Sequence, residues 1–210
     1  MKERVLVLGA GYAGVMAALR TAKQTVGRAE VTLVSAEETF CERIRLHQLA
    51  AGALLAKHSL SSLLAGGAVM FRQGLVRELR PAAGEVVIDQ ERVGYDRLIY
   101  ALGSRTEVSR VPGVREHAYT LDAGSAQRLA QQLPQVAGRS GHLLVVGGGL
   151  TGIEAATELA EAFPTLRVTL LSQGEVAATL STTCTARAYT MCRSWSATPI
   201  FRHSTTHQCL

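Results

Sequence analysis

An apolar segment that ends in a cluster of glycines occurs twice in this chain, and equivalent positions of the two copies are 138 residues apart. The first copy, VLVLGAGYAG, occupies residues 5–14, and the second, LLVVGGGLTG, occupies residues 143–152. Each copy has the spacing G-x-G-x-x-G and is followed by a helix-forming segment and a β-branched segment, at residues 31–35 and 168–172. One such motif is weak evidence. Two in the same context predict two βαβ units of the dinucleotide-binding kind.

Each glycine of the first motif has its own physical role in such a unit. Gly9 permits a tight turn after the strand, Gly11 lets a pyrophosphate approach the backbone, and Gly14 lets the helix pack closely on the strand. The helix is predicted to begin near Tyr12, so its free N–H groups and the positive end of its dipole face the phosphates. The motif therefore predicts a dinucleotide site.

The ends of the second strands carry the side chains that hold a ribose in such folds. In the first unit this position is Ser35, with Glu37 and Glu38 just beyond, and either the hydroxyl or a glutamate takes the role. In the second unit it is Ser172, followed by Gln, Gly and Glu. An acid there would favour NAD and an arginine NADP. Because no arginine or lysine stands at this strand end to pair with a 2′-phosphate, the sequence favours NADH over NADPH.

The segment between the two motifs supplies the other predicted elements. A β-meander is predicted from short strands at residues 68–71, 74–80 and 85–89, and a further strand at residues 97–101. A turn at 111–113 marks a domain crossing, and a helix capped by Asp122 runs to Leu133, with a loop over residues 134–140. The fold class is α/β, with two Rossmann-like βαβ units and a β-meander.

Composition narrows the class of partner. The net charge is +5, but residues 179–210 hold three arginines and no acid, so residues 1–178 carry 19 basic against 17 acidic side chains. No run of Lys and Arg forms a stripe, which argues against nucleic acid as a partner. The four cysteines form no CxxC pair, which predicts a reducing, cytoplasmic compartment. The N-terminal apolar segment is too short for a transmembrane segment, and no metal site is expected.

A cluster of Arg43, Arg45 and His47 follows the first βαβ unit. It either lines the pyrophosphate or ring edge of a cofactor or forms a solvated helix face, and periodicity alone favours the solvated face. Cys41, just before it, is either a redox thiol or a small buried hydrophobic residue.

With these segments the chain resembles the two-dinucleotide-binding-domain FAD/NAD(P)-dependent oxidoreductases, the pyridine nucleotide-disulfide oxidoreductase superfamily. Within it, the chain is more similar to the type II NADH dehydrogenase-like branch, which lacks the redox disulfide. The resemblance rests on residues 9–14, 40–47, 95–104, 111–113 and 147–154, whose order along the chain matches the family.

The resemblance implies an FAD site at the first motif and an NADH or NADPH site at the second. The residues implied for FAD are Gly9, Gly11, Tyr12, Ala13, Gly14, Ser35, Arg43, Val76, Ala101, Leu102 and Gly103. Those implied for the nicotinamide nucleotide are Gly147, Gly149, Leu150, Thr151, Gly152 and Ser172.

Glu154 matches a glutamate that lies near the nicotinamide and the flavin in this family, which makes it the candidate catalytic residue. The alternative is an acid in the first helical turn that favours the helix dipole. The two interpretations are compatible, and both stay open at this point.

The implied activity is hydride transfer from NAD(P)H to flavin and on to a quinone or another small acceptor. The predicted domains are an incomplete FAD-binding domain at 1–112, an incomplete NAD(P)-binding domain at 113–178, and an aberrant tail at 179–210 that is expected to be disordered. The tail does not resemble the family, so the simplest hypothesis is a truncated or frameshifted gene. The alternative function is an inactive fragment that keeps a dinucleotide-binding module. The expected location is cytoplasmic or peripheral to a membrane, and an oligomer is left open.

Overall fold

The computed structural model describes residues 2–174 and 176. The strands there are β1 Glu3–Leu8, β2 Ala29–Ser35, β3 Thr39–Phe40, β4 His58–Ser59, β5 Val69–Gln73, β6 Val76–Arg80, β7 Glu85–Ile88, β8 Glu91–Gly94, β9 Arg97–Tyr100, β10 His142–Val146 and β11 Arg167–Leu171. The helices are α1 Tyr12–Gln24, α2 Leu46–Ala50, α3 Leu60–Leu64, α4 Val114–His117, α5 Ala123–Ala137 and α6 Leu150–Ala162. Short 3₁₀ turns lie at Arg43–Arg45 and Pro81–Ala83.

The chain divides into two units that interleave in sequence. The first unit comprises residues up to 43 together with 55–108, and the second comprises residues 44–54 together with the described part from 109 onward. The short helix α2 therefore belongs to the second unit, although it lies between segments of the first.

The first unit has three layers built around a parallel sheet in the order β5-β2-β1-β9. Successive residues of β1 and β2 point to opposite faces, and both faces are apolar, as expected for a sheet covered on both sides. One face packs on α1 and α3 through Val5, Val7, Val31 and Leu33. The other packs under the antiparallel sheet β6-β7-β8 through Leu6, Leu8 and Val34.

The second unit is built on two parallel strands, β10 and β11, joined by α6. Helices α2, α5 and α6 share one apolar cluster with the inner face of these strands. The residues of this cluster include Ala50, Leu129, Leu133, Ala155 and Leu159, with Leu143, Val145 and Val168 packed against it.

Two details of the predicted meander are wrong. β5 is not part of it, because Val69–Gln73 pairs in parallel with β2 in the main sheet. The third meander strand is instead β8, Glu91–Gly94, which follows β7 after a two-residue turn and was not predicted. Parallel pairing joins residues far apart in sequence, so no local pattern distinguishes such a strand from a hairpin strand.

The predicted loop over residues 134–140 is also wrong in its first half. Helix α5 continues through Pro134 to Ala137, and its N-cap is Asp122 as predicted. Leu133 and Ala137, four residues apart, lie on the same buried face of this helix. Proline in a helix interior costs about 3 kcal/mol, and burial of this face offsets that cost.

Candidate dinucleotide sites

Two glycines of the first loop are required by the packing of the protein itself. Gly9 has a φ of +97°, and its N–H donates to the carbonyl of Val34 at 2.8 Å. A Cβ on Gly9 would overlap the carbonyl oxygen of Ala101, and a Cβ on Gly14 would overlap the carbonyl oxygen of Gly9. The strand, the turn and the helix therefore approach too closely for any side chain at these two positions.

Gly11 differs from its neighbours, because nothing in the protein requires a glycine there. Its φ of −77° and ψ of −172° are ordinary extended values, and a Cβ would meet no atom within 4 Å. The open space lies at the N-terminus of α1, where a phosphate would be received. A bare backbone beside open space fits the close approach of a pyrophosphate.

The loop of the second unit repeats this geometry. Gly147 has a φ of +124° and donates its N–H to the carbonyl of Leu171 at 2.8 Å. A Cβ on Gly152 would overlap the carbonyl oxygen of Gly147, whereas a Cβ on Gly149 would meet nothing within 4 Å. One difference is that a Cβ on Gly147, unlike one on Gly9, would also meet nothing within 4 Å. Two loops of similar geometry define a protein with two dinucleotide-binding folds.

The helices that follow the two loops begin without a side-chain cap. Neither α1, which starts with Tyr12 and Ala13, nor α6, which starts with Leu150 and Thr151, has a cap hydrogen bond or an acid in its first turn. The N-cap residue of each helix is a glycine, Gly11 or Gly149, so no side chain of the N-cap blocks the approach of an anionic ligand to the helix N-terminus.

Helix α5 has the opposite arrangement. The Asp122 carboxylate accepts from the Ser125 N–H at 2.9 Å and from the Thr120 hydroxyl. The Thr120 hydrogen bond, above all, lowers the pKa of Asp122, and the Ser125 N–H contributes. The carboxylate completes the cap, so this helix end is closed to an anion.

Strand β9 brings a second predicted segment to the first loop. Its register is fixed at the start, where the Arg4 N–H donates to Asp96 Oδ2 at 2.7 Å and the Asp96 N–H donates to the Arg4 carbonyl at 3.0 Å. The Arg4 side chain and N–H lower the pKa of Asp96 through these bonds. At the other end the Ala101 N–H donates to the Leu8 carbonyl at 2.8 Å. Ala101 and Leu102 consequently lie against Gly9.

Arg43 joins the same place from another part of the chain. Its Nη1 donates to the carbonyl of Ser104 at 2.8 Å, and it lies 3.7 Å from where a Cβ of Gly103 would be. The Arg43 side chain is exposed, as expected on a solvated helix face, but its hydrogen bond connects it to the segment after β9. The Ser104 carbonyl was not among the predicted site residues, and the 61-residue separation explains why no spacing pattern indicates it.

Ser35 and Val76 lie at the carboxyl end of β2. The Ser35 hydroxyl accepts from the Glu37 N–H at 3.2 Å, and the Ser35 carbonyl accepts from the Gly74 N–H at 2.9 Å. Val76 follows on β6, whose only sheet neighbour among the described residues is β7. The Asp89 N–H donates to the Leu75 carbonyl, so strand alternation directs the Val76 backbone groups away from β7.

In the second unit, Ser172 stands beside the glycine loop. A Cβ on Gly148 would lie 2.6 Å from the Ser172 Cβ. Glu154 is the fifth residue of α6 and is half-buried. Because it lies beyond the first turn, the interpretation of Glu154 as a first-turn acid is wrong.

The first unit also holds a small cleft that the sequence did not indicate. Tyr12 and Phe40 form an edge-to-face pair with ring centroids 5.0 Å apart. The cleft has a volume of about 270 Å³ and is lined by Tyr12, Val15, Met16, Phe40, Glu42, His58 and Leu63. Tyr12, the first residue of α1, contributes to its lining.

Neither a membrane-spanning helix nor a cluster of metal ligands occurs in the part of the chain that the structure describes. No helix in residues 2–174 is long and apolar enough to cross a membrane. No three metal-ligating side chains are grouped in the same part of the chain. The segment 179–210, which includes three of the four cysteines, lies outside the described residues.

Comparison with known proteins identifies the family. The chain belongs to the pyridine nucleotide-disulphide oxidoreductase family, whose model matches residues 3–191. The predicted superfamily and the predicted α/β fold class are confirmed.

The similar proteins are about twice as long as this chain. A type II NADH:quinone oxidoreductase of Staphylococcus aureus (strain NCTC 8325 / PS 47) is 29% identical over 180 residues, which cover 79% of this chain and 45% of the relative. The solved structure of NDH2 from Plasmodium falciparum in complex with NADH has a TM-score of 0.76 at 21% identity, covering 91% of this chain and 47% of that one. A water-forming NADH oxidase from Lactobacillus brevis bound to NADH has a TM-score of 0.66 at 20% identity, over 81% and 40% of the two chains.

Proposed function

We propose that this chain is the nucleotide-binding part of an FAD-dependent NADH oxidoreductase that passes electrons to a quinone or another small acceptor. The observation that supports it is the pair of loops in which the first glycine has a positive φ, the third is required by packing against the first, and the middle one faces open space. An open glycine at an uncapped helix start is what a dinucleotide pyrophosphate needs, and two such loops provide for two dinucleotides. Family membership supports the same assignment.

FAD is assigned to the first unit. There the glycine loop is accompanied by the segment after β9, by Arg43 and by the backbone of Val76. Gly9, Gly11 and Gly14, with Tyr12 and Ala13, would hold the pyrophosphate. Val76 would offer backbone groups to the adenine, Ser35 a hydroxyl to the ribose, and Ala101, Leu102 and Gly103 would contact the flavin. Arg43 would fix this last segment through the Ser104 carbonyl.

NADH is assigned to the second unit. Gly147, Gly149 and Gly152 would hold its pyrophosphate, with the first N–H groups of α6 from Leu150 and Thr151. Ser172, beside the loop, would offer a hydroxyl to the ribose. No arginine follows at residues 172–176 to pair with a 2′-phosphate, which favours NADH over NADPH.

The reaction needs little side-chain chemistry. The nicotinamide supplies a hydride and the flavin accepts it, while the protein supplies position and a low dielectric. Glu154, half-buried on α6, is the side chain proposed to lie nearest to the reacting rings in the second unit. The quinone acceptor and a peripheral place at the cytoplasmic face of a membrane are proposed from the type II NADH:quinone oxidoreductase relative.

The domain assignment is also part of this proposal. Residues 1–112 would belong to the FAD-binding domain and 113–178 to the NADH-binding domain, both incomplete in comparison with the relatives. Residues 44–54 and 109–112 depart from these bounds, because they group with the second unit. The second candidate function is a dinucleotide-binding module without turnover. It is favoured by the length of the match, because the aligned region spans only 45% of the curated relative.

The visible absorption spectrum tests both candidates. We expect the purified protein, or the protein reconstituted with FAD, to show bound-flavin bands that NADH bleaches under anaerobic conditions. Gly11→Ala should weaken FAD binding, Gly149→Ala should weaken NADH binding, and Glu154→Gln should slow bleaching without changing FAD affinity. Bound FAD that NADH does not bleach would favour the binding module. A protein that binds neither FAD nor NADH would refute both.

A further inference from the structure

One residue of a hairpin turn, Asp89, holds the chain between β5 and β6. Asp89 and Gln90 form the two-residue turn from β7 to β8, and Asp89 has a φ of +54°. Its Oδ1 accepts from the Leu75 N–H at 3.1 Å, and its own N–H donates to the Leu75 carbonyl at 2.8 Å. Both backbone polar groups of Leu75 are therefore bound by the same residue, 14 positions along the chain.

Gly74, the residue before Leu75, is buried against the same turn. A Cβ on Gly74 would overlap the Ile88 side chain and would lie 2.9 Å from the Asp89 Oδ2. The Gly74 N–H donates to the Ser35 carbonyl at 2.9 Å. The corner formed by Gly74 and Leu75 thus connects the end of β2 to the turn that contains Asp89.

This corner lies between the two residues assigned to the adenosine half of FAD. Ser35, which is bonded to Gly74, is assigned to the ribose, and Val76, directly after Leu75, is assigned to the adenine. Because the Leu75 groups are bonded to Asp89, the Val76 N–H and carbonyl are directed to the free edge of β6. A donor and an acceptor side by side match the adenine edge, which offers an amino donor beside ring-nitrogen acceptors.

We propose that Asp89 is a positioning residue for adenine recognition. It binds Leu75 so that the next residue, Val76, presents its N–H and carbonyl in the direction that the adenine edge requires. Hydrogen bonds weaken steeply when donor and acceptor are misaligned. Loss of the Asp89 carboxylate would free the Leu75 N–H and let the corner shift, so that the two Val76 groups no longer match adenine. The inference rests on the proposed binding of FAD to the first unit.

The alternative role of Asp89 is formation of the turn alone. Aspartate is one of the residues that tolerate a positive φ, and glycine adopts it more readily. Asp89→Gly therefore keeps the turn and removes the acceptor, whereas Asp89→Asn keeps an acceptor oxygen at the same place. A role in the turn alone predicts that both variants bind FAD as the unchanged chain does. A positioning role predicts that only Asp89→Asn does.

The test compares two ligands in flavin-fluorescence titrations of the full chain and its variants. FAD carries adenine, and flavin hypoxanthine dinucleotide carries the deaminated base, in which a carbonyl acceptor replaces the amino donor and N1 carries a hydrogen. We expect the unchanged chain and Asp89→Asn to bind FAD about tenfold more tightly than the analogue, because the analogue leaves the Val76 groups unpaired. Asp89→Gly should bind FAD about tenfold more weakly and lose this preference. A general loss of folded protein would weaken both ligands equally and leave the preference unchanged.

Gln90→Gly is the matched control, because Gln90 is the exposed second residue of the same turn, and it should leave both affinities unchanged. Gly74→Ala displaces the corner with Asp89 in place and should also reduce the preference, which keeps the test decisive if Asp89→Gly does not fold.

Three results would overturn the positioning role while the proposed function stands. They are a preference for FAD that persists in Asp89→Gly, a preference that is lost in Gln90→Gly or Asp89→Asn, and equal binding of the two ligands by the unchanged chain. Binding of neither ligand by the unchanged chain would instead refute the proposed FAD site, and the positioning role with it.

Discussion

Substitution of single loop glycines by alanine separates the role of packing from the role of the ligand. In the first loop, Gly14→Ala places a methyl group where the carbonyl oxygen of Gly9 lies, and that oxygen belongs to the backbone and cannot rotate away. Gly11→Ala places the same methyl group in open space at permitted backbone angles. The two variants are matched in chemistry and differ only in what the methyl group meets.

The expected magnitudes follow from the contacts. Overpacking costs about 1–3 kcal/mol, and we expect the upper end because a backbone atom is in the way. Alanine in a helix recovers at most about 1 kcal/mol relative to glycine, which leaves a net loss of about 2 kcal/mol for Gly14→Ala. At roughly 2–4 °C per kcal/mol for a chain of this size, Tm should fall by about 4–8 °C. For Gly11→Ala we expect no loss, because the backbone is already in an alanine-compatible region.

Thermal unfolding followed by circular dichroism, without added nucleotide, measures the change in Tm. A titration with FAD then measures the affinity for the ligand, and Gly11→Ala should bind FAD at least tenfold more weakly than the unchanged protein. In the second unit, Gly152→Ala and Gly149→Ala should repeat the pattern with NADH, because their environments are the same. The reasoning is refuted if Gly14→Ala unfolds at the unchanged temperature, or if Gly11→Ala is destabilised as much as Gly14→Ala.

Three further pairs of substitutions, each with its own comparison variant, test the elements around the loops. Asp122→Ala should destabilise α5 by about 1 kcal/mol, whereas Asp122→Asn should keep the cap. The pKa of Asp122 is lowered in the fold, so its carboxylate contributes its full stabilisation of the folded protein above about pH 3.9 and loses it as the pH falls through the lowered pKa. In acid unfolding, the unchanged protein should show this loss and Asp122→Asn should not. Arg43→Ala should weaken FAD binding several-fold in a titration, because it removes the 2.8 Å hydrogen bond to the Ser104 carbonyl. Substitution of the exposed Arg20 by alanine should leave FAD binding unchanged. Leu8→Ala should cost about 2–5 kcal/mol and its repeat counterpart Val146→Ala less than about 0.5 kcal/mol, in urea unfolding.

The elements that the sequence predicted well are those set by local spacing. The two glycine motifs placed both loops, both following helices and both second strands, because a strand, a tight turn and a helix start are all fixed within about ten residues. The cap at Asp122 was equally local, since its partner lies three residues along the chain. In each case the sequence contains both partners of the interaction side by side.

The elements that the sequence did not predict correctly depend on contacts with residues far away in the chain. Whether Val69–Gln73 joins the parallel sheet or the meander is decided by β2, more than thirty residues earlier. Pro134 stays in a helix because Leu133 and Ala137 have a buried cluster to pack on. Arg43 seemed to belong to a solvated face from periodicity, and its hydrogen bond to the Ser104 carbonyl becomes visible only when β9 is placed beside β1.

The repeat gives this chain an internal control that a single nucleotide-binding fold would lack. The glycine conformations, the uncapped helix starts and the bonds from Gly9 and Gly147 to the second strands are similar in both units, although, among the described residues, one sheet is covered on both faces and the other on one. The shape of a phosphate-binding loop therefore does not depend on the layer over the far side of its strands. Because loop geometry sets nucleotide recognition and the layer sets burial, the second unit can keep a complete loop while its strands β10 and β11 are less covered by the described residues than the strands of the first unit. Nucleotide affinity and stability should accordingly respond to different substitutions in this unit.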